Sequence, residues 1–202
     1  MAKLPNSNMD DKIGFFEKFL GLDSNSNPFV HELASYFQLT HYQKESHFIQ
    51  ETEENTKVGF VKSGYLRTYL MDLDGNEAII RFIKPMEFFS GGFAFNFPSP
   101  LNIQAITDVE IYQANLKEIQ PLMRQSQEFV GVMMELLSIG STKIMALLSN
   151  FIRLDGKQRY LLFTKEHPGL IDEIPHYYIA NFLGITPVQL SRIRKQLADL
   201  AR

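Results

Sequence analysis

Arg192, Arg194 and Lys195 cluster in the segment Thr186-Pro187-Val188-Gln189-Leu190-Ser191-Arg192-Ile193-Arg194-Lys195-Gln196-Leu197. A guanidinium can hold guanine O6 and N7 with two parallel hydrogen bonds, a Gln amide can pair with adenine, and hydroxyls and ammonium groups meet phosphate oxygens. The chemistry on offer is therefore nucleic-acid recognition. Arg192 is the candidate base reader. Val188 is suited to a thymine methyl group, and Gln189 to adenine. Thr186, Ser191, Arg194 and Lys195 are candidate phosphate contacts. These roles require one exposed helix face. Leu190, Ile193 and Leu197, at i, i+3 and i+7, turn inward and leave Val188, Gln189, Ser191, Arg192 and Lys195 on the other side. The plain alternative for any single Arg or Lys is a solvated helix surface.

That face needs a helix held at a fixed angle to another, and the flanking residues supply one. Gly184 ends a first helix, where a left-handed residue is required. Thr186 is the N-cap of the second and Pro187 its first residue, where a missing N–H costs nothing. Gln189, three residues on, can complete a capping box, a role that competes with reading adenine. Ile179, Leu183, Leu190 and Ile193 are spaced to bury together, and Ala180 is small where two backbones approach. The segment 179–197 reads as a helix-turn-helix whose second helix fits a DNA major groove.

Charge supports this weakly. Residues 1–152 hold 12 Lys+Arg and 18 Asp+Glu, a balance of −6, whereas residues 153–202 hold 8 and 5, a balance of +3. A basic C-terminal part on an acidic body suits a protein that meets phosphates at one end. The chain has 202 residues, 45% of them apolar, and no cysteine, which excludes disulfides and thiolate metal sites and fits a reducing cytoplasm. Residues 1–11 lack the apolar core of a signal peptide, and no apolar run reads as a membrane span.

Periodicity divides the chain. Ile13, Phe16, Phe19 and Leu20 follow a helical repeat ended by Gly21, and Phe29, Leu33, Tyr36 and Phe37 form another apolar face. Between about residues 43 and 113 the pattern becomes short strands and turns: 58–61, 65–71, a hairpin turn at Asp72-Leu73-Asp74-Gly75-Asn76-Glu77, then 78–83, 103–106 and 109–112. Such strands make an antiparallel roll. Val130, Met133, Leu137, Gly140, Ile144, Leu147 and Phe151 then alternate spacings of three and four, the seam of a helix that wants a partner helix. A two-fold dimer is expected. Met134, Leu136 and Leu148 are assigned to the intramolecular side. The alternative is a core helix of a single chain.

A roll, a long helix and a C-terminal helix-turn-helix in this order resemble the cyclic-AMP receptor protein/FNR (Crp/Fnr) family of bacterial transcription regulators. The pieces that carry the resemblance are Ser63-Gly64-Tyr65-Leu66-Arg67, Asp74-Gly75-Asn76-Glu77, Phe82-Ile83-Lys84-Pro85-Met86-Glu87-Phe88-Phe89, and Leu183-Gly184-Ile185-Thr186 with Leu190-Ser191-Arg192-Ile193. It implies an α+β chain with an N-terminal β-roll sensor of the cyclic-nucleotide-binding type (1–121), a dimerisation helix (122–152) and a helix-turn-helix DNA-binding domain (153–202). It further implies double-stranded DNA with an inverted-repeat site, a homodimer, RNA polymerase as a further partner, no membrane, and a cytoplasmic location. Positions matching Pro187, Val188 and Arg192 are the family's usual base readers, and only Arg192 keeps a strong polar group. A wing commonly follows the recognition helix. With five residues after Leu197, that contact is expected to be missing or to come from before the motif.

The departure concerns the effector. Cyclic-nucleotide-binding members carry a Gly-Glu-(Leu/Ile) segment and, further on, Arg-(Ser/Thr)-Ala, whose Arg neutralises the phosphate. Here Gly91 stands where the Glu belongs and Ser99-Pro100 where the Arg pair belongs, with no Arg or Lys between Lys84 and Lys117. A buried cyclic phosphate would lack its cation, an expensive omission. Cyclic AMP is therefore not expected, and no cofactor is assigned. Phe89, Gly91, Phe93 and Ser99 are candidates for the pocket of another small effector, with Phe95 and Phe97 beside them. Equally, the rings simply fill the roll.

No catalytic or metal site is expected. Residues 48–166 contain no His, so a metal-binding roll enzyme of the His-x-His type is not supported. The five His residues have no haem-type spacing. Nucleophile-elbow and phosphate-loop motifs are absent. The rival to a DNA-binding regulator is a dimeric small-ligand or protein-binding module in which the basic helix contacts protein.

Overall fold

The computed structural model describes residues 7–92 and 97–200. In chain order the elements are α1 (Ser7–Leu20), α2 (Phe29–Tyr36), β1 (Gln38–Tyr42), β2 (His47–Ile49), β3 (Lys57–Ser63), β4 (Leu66–Met71), β5 (Glu77–Ile83), β6 (Phe88–Ser90), β7 (Asn102–Ala105), β8 (Val109–Asn115), α3 (Leu116–Gln125), α4 (Gln127–Arg153), α5 (Gly156–Glu166), α6 (Leu170–Glu173), α7 (His176–Phe182) and α8 (Pro187–Leu200). They fall into two compact units. The first holds residues up to Leu66 and Ile83–Met133; the second holds Arg67–Phe82 and residues from Met134 on.

The first unit is the roll. One sheet runs β1-β8-β3-β6, antiparallel throughout, with Gln38 opposite Gln113 and Lys57 opposite Asn115 at its ends. β2 pairs with β7 through a shifted register between His47 and Ile49. The aromatic spacing of α1 explains its docking. Phe16 is fully buried, and its ring stands edge-on to Phe60 of β3 at 5.3 Å and tilted against Phe37 at 5.1 Å. Edge-to-face pairs add about 0.5–1.5 kcal/mol each beyond their buried area. Tyr112 of β8 is buried and completes this cluster. A second cluster gathers Phe48, Ile49, Val61, Leu66, Ile83, Phe89, Ile103 and Ile111.

The strands β1, β2 and β6 and the separate helix α3 were not expected from the sequence. α3 and α4 part at Ser126, whose hydroxyl accepts the Phe129 N–H at 3.2 Å and so starts α4 as a local cap.

The second unit is helical except for the β4–β5 hairpin. Asp72 shapes the hairpin turn. Its Oδ1 accepts N–H bonds from Asn76 at 2.8 Å and Asp74 at 2.9 Å, and the backbone and side-chain bonds of Asn76 foremost hold its carboxyl below the usual carboxylate range. Gly75 supplies the positive φ of +81°. Phe82 of β5 shares a core with Phe163 of α5 and Phe182 of α7, at 6.0 and 5.2 Å between ring centres. The hairpin is thus a packing element of the helical unit.

Along α4 the expected seam holds only in part as a division of faces. Ile144 is 61% exposed, but so are Met134 at 63% and Leu148 at 52%, two of the residues assigned to the inner side. The apolar surface of α4 is broader than a narrow a/d stripe. Contrary to the sequence reading, this helix is also long and apolar enough, by length and composition alone, to cross a membrane. Glu135 and Lys143 lie within it, and a Lys at mid-bilayer costs about 2.5–3.5 kcal/mol.

Candidate nucleic-acid interface

α7 and α8 form the helix-turn-helix that glycine and cap spacing predict. Gly184 adopts φ +63°. Its N–H bonds to Asn181 O at 2.9 Å and the Ile185 N–H to Ala180 O at 3.0 Å, which closes the first helix. The capping box forms in both directions. Thr186 N–H donates to Gln189 Oε1 at 2.8 Å, and Gln189 N–H donates to Thr186 Oγ1 at 3.2 Å. Such a cap contributes about 1 kcal/mol. Ile179, Ala180, Leu183 and Leu190 are buried, so the angle between the helices is set by packing.

Thr186, Val188, Gln189, Ser191, Arg192 and Lys195 are all exposed. Val188 is 60% exposed, an apolar residue presented to solvent beside Arg192. Gln189 is committed to its cap through Oε1. Arg194 sits elsewhere: its guanidinium lies 2.9 Å from the imidazole nitrogens of His176, tying α8 to the start of α7. A second cap, unforeseen in the sequence, starts α5. Asp155 Oδ1 accepts the Gln158 N–H at 2.8 Å while Gln158 Oε1 accepts the Asp155 N–H at 2.9 Å. Arg159 then donates from Nε to Leu183 O at 2.9 Å and lies over the Phe151 ring.

The hairpin contributes residues that sequence reasoning missed as parts of the site. Arg67 is 3% exposed. It makes a two-pronged salt bridge to Glu77, with Nη2–Oε1 at 2.8 Å. Its guanidinium lies 4.2 Å from the ring centres of both Tyr69 and Tyr178. Burial and a hydrogen bond with Tyr177 push the Tyr178 hydroxyl up to about 12. Asn181 of α7 binds β5 from its side chain: Nδ2 donates to Glu77 O, and Ile79 N–H donates to Oδ1, each at 2.7 Å. The sequence signal for Arg67 was a charged residue inside a strand pattern; for Asn181 there was none.

In the roll, the candidate effector residues separate. Phe89 is buried and stands edge-on to Phe48 at 4.8 Å, so it fills the core. Phe97 is 65% exposed. Phe93, like Phe95, lies outside the described residues. Gly91 is buried against Ile49, where a β-carbon would come 2.7 Å from Cδ1 and 3.0 Å from Asn55 Oδ1. The buried Ser99 hydroxyl is 2.8 Å from Gly91 O and 2.7 Å from Leu101 O. Asn55, also buried, donates to Gly92 O at 2.7 Å and Ser90 Oγ at 3.1 Å. Its Oδ1 has no hydrogen-bond partner among the described residues. Neutral side chains thus hold the turn carbonyls where the resemblance places a carboxylate and a guanidinium.

Residues 39–126 match the cyclic nucleotide-binding domain family. FixK2 from Bradyrhizobium japonicum has the same architecture with a TM-score of 0.73 at 18% identity, over 82% of this chain and 86% of that one. A protein from Eubacterium rectale assigned to the Crp/Fnr family of transcriptional regulators gives a TM-score of 0.70 at 19% identity, over 92% of this chain and 88% of that one. The fold is that of the Crp/Fnr regulators. Within this Crp/Fnr fold the family match spans β1 to α3, the roll, and stops short of the helix-turn-helix. CLP of Xanthomonas campestris, a c-di-GMP-responsive global regulator, shares the Crp/Fnr fold with a TM-score of 0.68 at 15% identity, over 86% of this chain and 92% of CLP. No curated protein matches the chain in sequence.

Proposed function

We propose that this chain is a sequence-specific DNA-binding transcriptional regulator of the Crp/Fnr type that acts as a homodimer and is not an enzyme. The observation that carries the reading is the capped, packed α7–α8 pair with Val188, Ser191, Arg192 and Lys195 free on one face. Two such helices about one DNA turn apart read an inverted repeat. The exposed apolar surface of α4, with Met134, Ile144, Met145 and Leu148, supports pairing through that helix. RNA polymerase as a further partner and a cytoplasmic setting belong to the same proposal.

The roll is proposed not to take cyclic AMP in the usual way. Gly91, Ser99 and Asn55 offer no cation for a phosphate, and Ile49 occupies the space beside Gly91. Any effector is of another kind, as CLP's response to c-di-GMP illustrates for the fold.

The test is selection of DNA sites from a random pool by the full chain, followed by affinity across a salt series. An inverted repeat whose binding weakens steeply with salt is expected. Absence of salt-dependent DNA binding would transfer the assignment to the rival reading, a dimeric ligand- or protein-binding module. Titration calorimetry with cyclic AMP and cyclic GMP is expected to give no heat, and micromolar binding would reverse the effector assignment.

A further inference from the structure

The β4–β5 hairpin meets α7 along one helix face, and every contact is specific. Tyr178, Asn181 and Phe182 stand at i, i+3 and i+4, so they share that face. Tyr178 covers one side of the Arg67 guanidinium, and Phe182 packs against Phe82. Asn181 completes the set by pairing with the β5 backbone as a neighbouring strand would, with both valences of its amide used on Glu77 O and the Ile79 N–H. An edge strand leaves such groups open to any passing chain; here a side chain of the helix-turn-helix closes them. A primary amide supplies the donor and the acceptor side by side, as a peptide group does. A carboxylate at 181 could accept from Ile79 but would face Glu77 O with no proton to give.

None of these contacts falls on the face of α8 that carries Val188, Ser191, Arg192 and Lys195. The hairpin therefore braces the motif from behind and leaves its outward side open. Its two strands continue by chain into the roll at Leu66 and Ile83. The chain thus crosses the boundary of the helical unit three times, entering through β4, leaving through β5 and entering again through α4. A helix-turn-helix carried on α4 alone could swivel; one also pinned at Arg67 and Asn181 is fixed against the β4–β5 hairpin.

We propose that Arg67 and Asn181 are positioning residues for DNA recognition: through Tyr178 and the β5 backbone they fix the orientation of the helix-turn-helix, and so the spacing between half-sites that a dimer accepts. The proposal rests on the DNA-binding reading above. Loss of the pins should leave each half-site read normally, because the reading side chains are untouched, while the two halves need no longer be held at one separation.

The experiment measures affinity of the full-length chain for its selected inverted repeat and for the same repeat with one base pair added or removed at the centre. The native chain is expected to prefer one spacing. Asn181→Ala should bind that site about tenfold more weakly, equivalent to about 1.4 kcal/mol, and should bind the three spacings within about threefold of one another, a difference of under about 0.7 kcal/mol. Single-base preferences within a half-site and the salt slope should stay as they were. Asn181→Asp should do the same or more, and Arg67→Lys, which keeps the charge but loses the fork and the stack, should follow. Faster hydrogen exchange at the Ile79 amide with an unchanged melting temperature would mark release of the pin rather than unfolding. A variant that keeps the native spacing preference overturns the positioning role. So does a fall in affinity that is equal at all spacings and tracks a loss of stability. If the native chain binds no DNA in a salt-dependent way, the underlying reading fails before any variant is compared.

Discussion

Phe151, near the end of α4, lies so close to Gly184 that a β-carbon at 184 would sit 2.8 Å from its ring Cε1. Gly184 is therefore required twice, by its φ of +63° and by the ring above it. Gly184→Ala should destabilise the helical unit by about 2 kcal/mol, the usual range for a left-handed non-glycine residue being about 1–3 kcal/mol. Urea denaturation reads this directly. Gly184→Asn separates the causes, since Asn tolerates the left-handed region but not the crowding. A loss for Asn as large as for Ala assigns the cost to Phe151, whose 42% exposure gives the ring room to yield.

Arg192 and Arg194 should behave differently despite lying two residues apart. Arg192 is exposed, while Arg194 is drawn to His176. Arg192→Ala should cost about 1–3 kcal/mol at the selected site and relax one base position. Lys195→Ala should weaken all sequences alike and reduce the salt slope by about 1. Arg194→Ala should change the slope little and lower the melting temperature. Fluorescence anisotropy on the selected site and on scrambled DNA distinguishes the three, and an unaltered site preference for Arg192→Ala would remove it as the reader.

The parts of this site that sequence shows are those whose physics is local. A glycine, a cap and an N1 proline within four residues determine how α7 ends and α8 begins, and Leu190 buries where its spacing from Leu183 requires. Asn181 reaches Ile79 across 102 residues of sequence and Asn55 reaches Gly92 across 37. No period or cap rule connects such pairs. The exposed faces of α4 were misassigned for a related reason. Met134 and Leu148 have the spacing of core residues, and spacing alone does not say whether the covering surface lies in the same chain. Ser126 is the converse case, a local cap before Phe129 that falls inside the span 122–152 expected as the dimerisation helix and sets the start of α4 later.

Gly91 should resist enlargement. A β-carbon there would stand 2.7 Å from Ile49 Cδ1, within a buried cluster. Overpacking of this kind costs about 1–3 kcal/mol. Gly91→Ala is expected to fall in that range, and adding Ile49→Val should recover part of it, because the two sites share one space. Gly91→Glu, which introduces the carboxylate that the resemblance places there, should be less stable than Gly91→Ala and should still not bind cyclic AMP. Independent, additive effects of Gly91→Ala and Ile49→Val in urea melts would contradict the shared-space account.

Tyr178 and Tyr112 should titrate late, and Tyr178 reports on the hairpin brace. The Tyr178 hydroxyl is pushed up to about 12, first by burial, and that of Tyr112 likewise, against an ordinary value of 10.0. A raised pKa in the folded state means that folding favours the protonated phenol. That contribution is fully present below about pH 10, and it is lost as pH rises through about 12. The stability of the native chain should accordingly decline more steeply between about pH 10 and 12 than that of Tyr178→Phe, which keeps the ring over Arg67 but has no proton to lose. Burial pushes up Tyr42 and Tyr69 as well, so the phenolate absorbance should lose one late group in Tyr178→Phe and another in Tyr112→Phe, the remaining late groups staying in place. If the two stability curves run parallel through this window, ionisation of Tyr178 is not linked to the contact between the hairpin and α7.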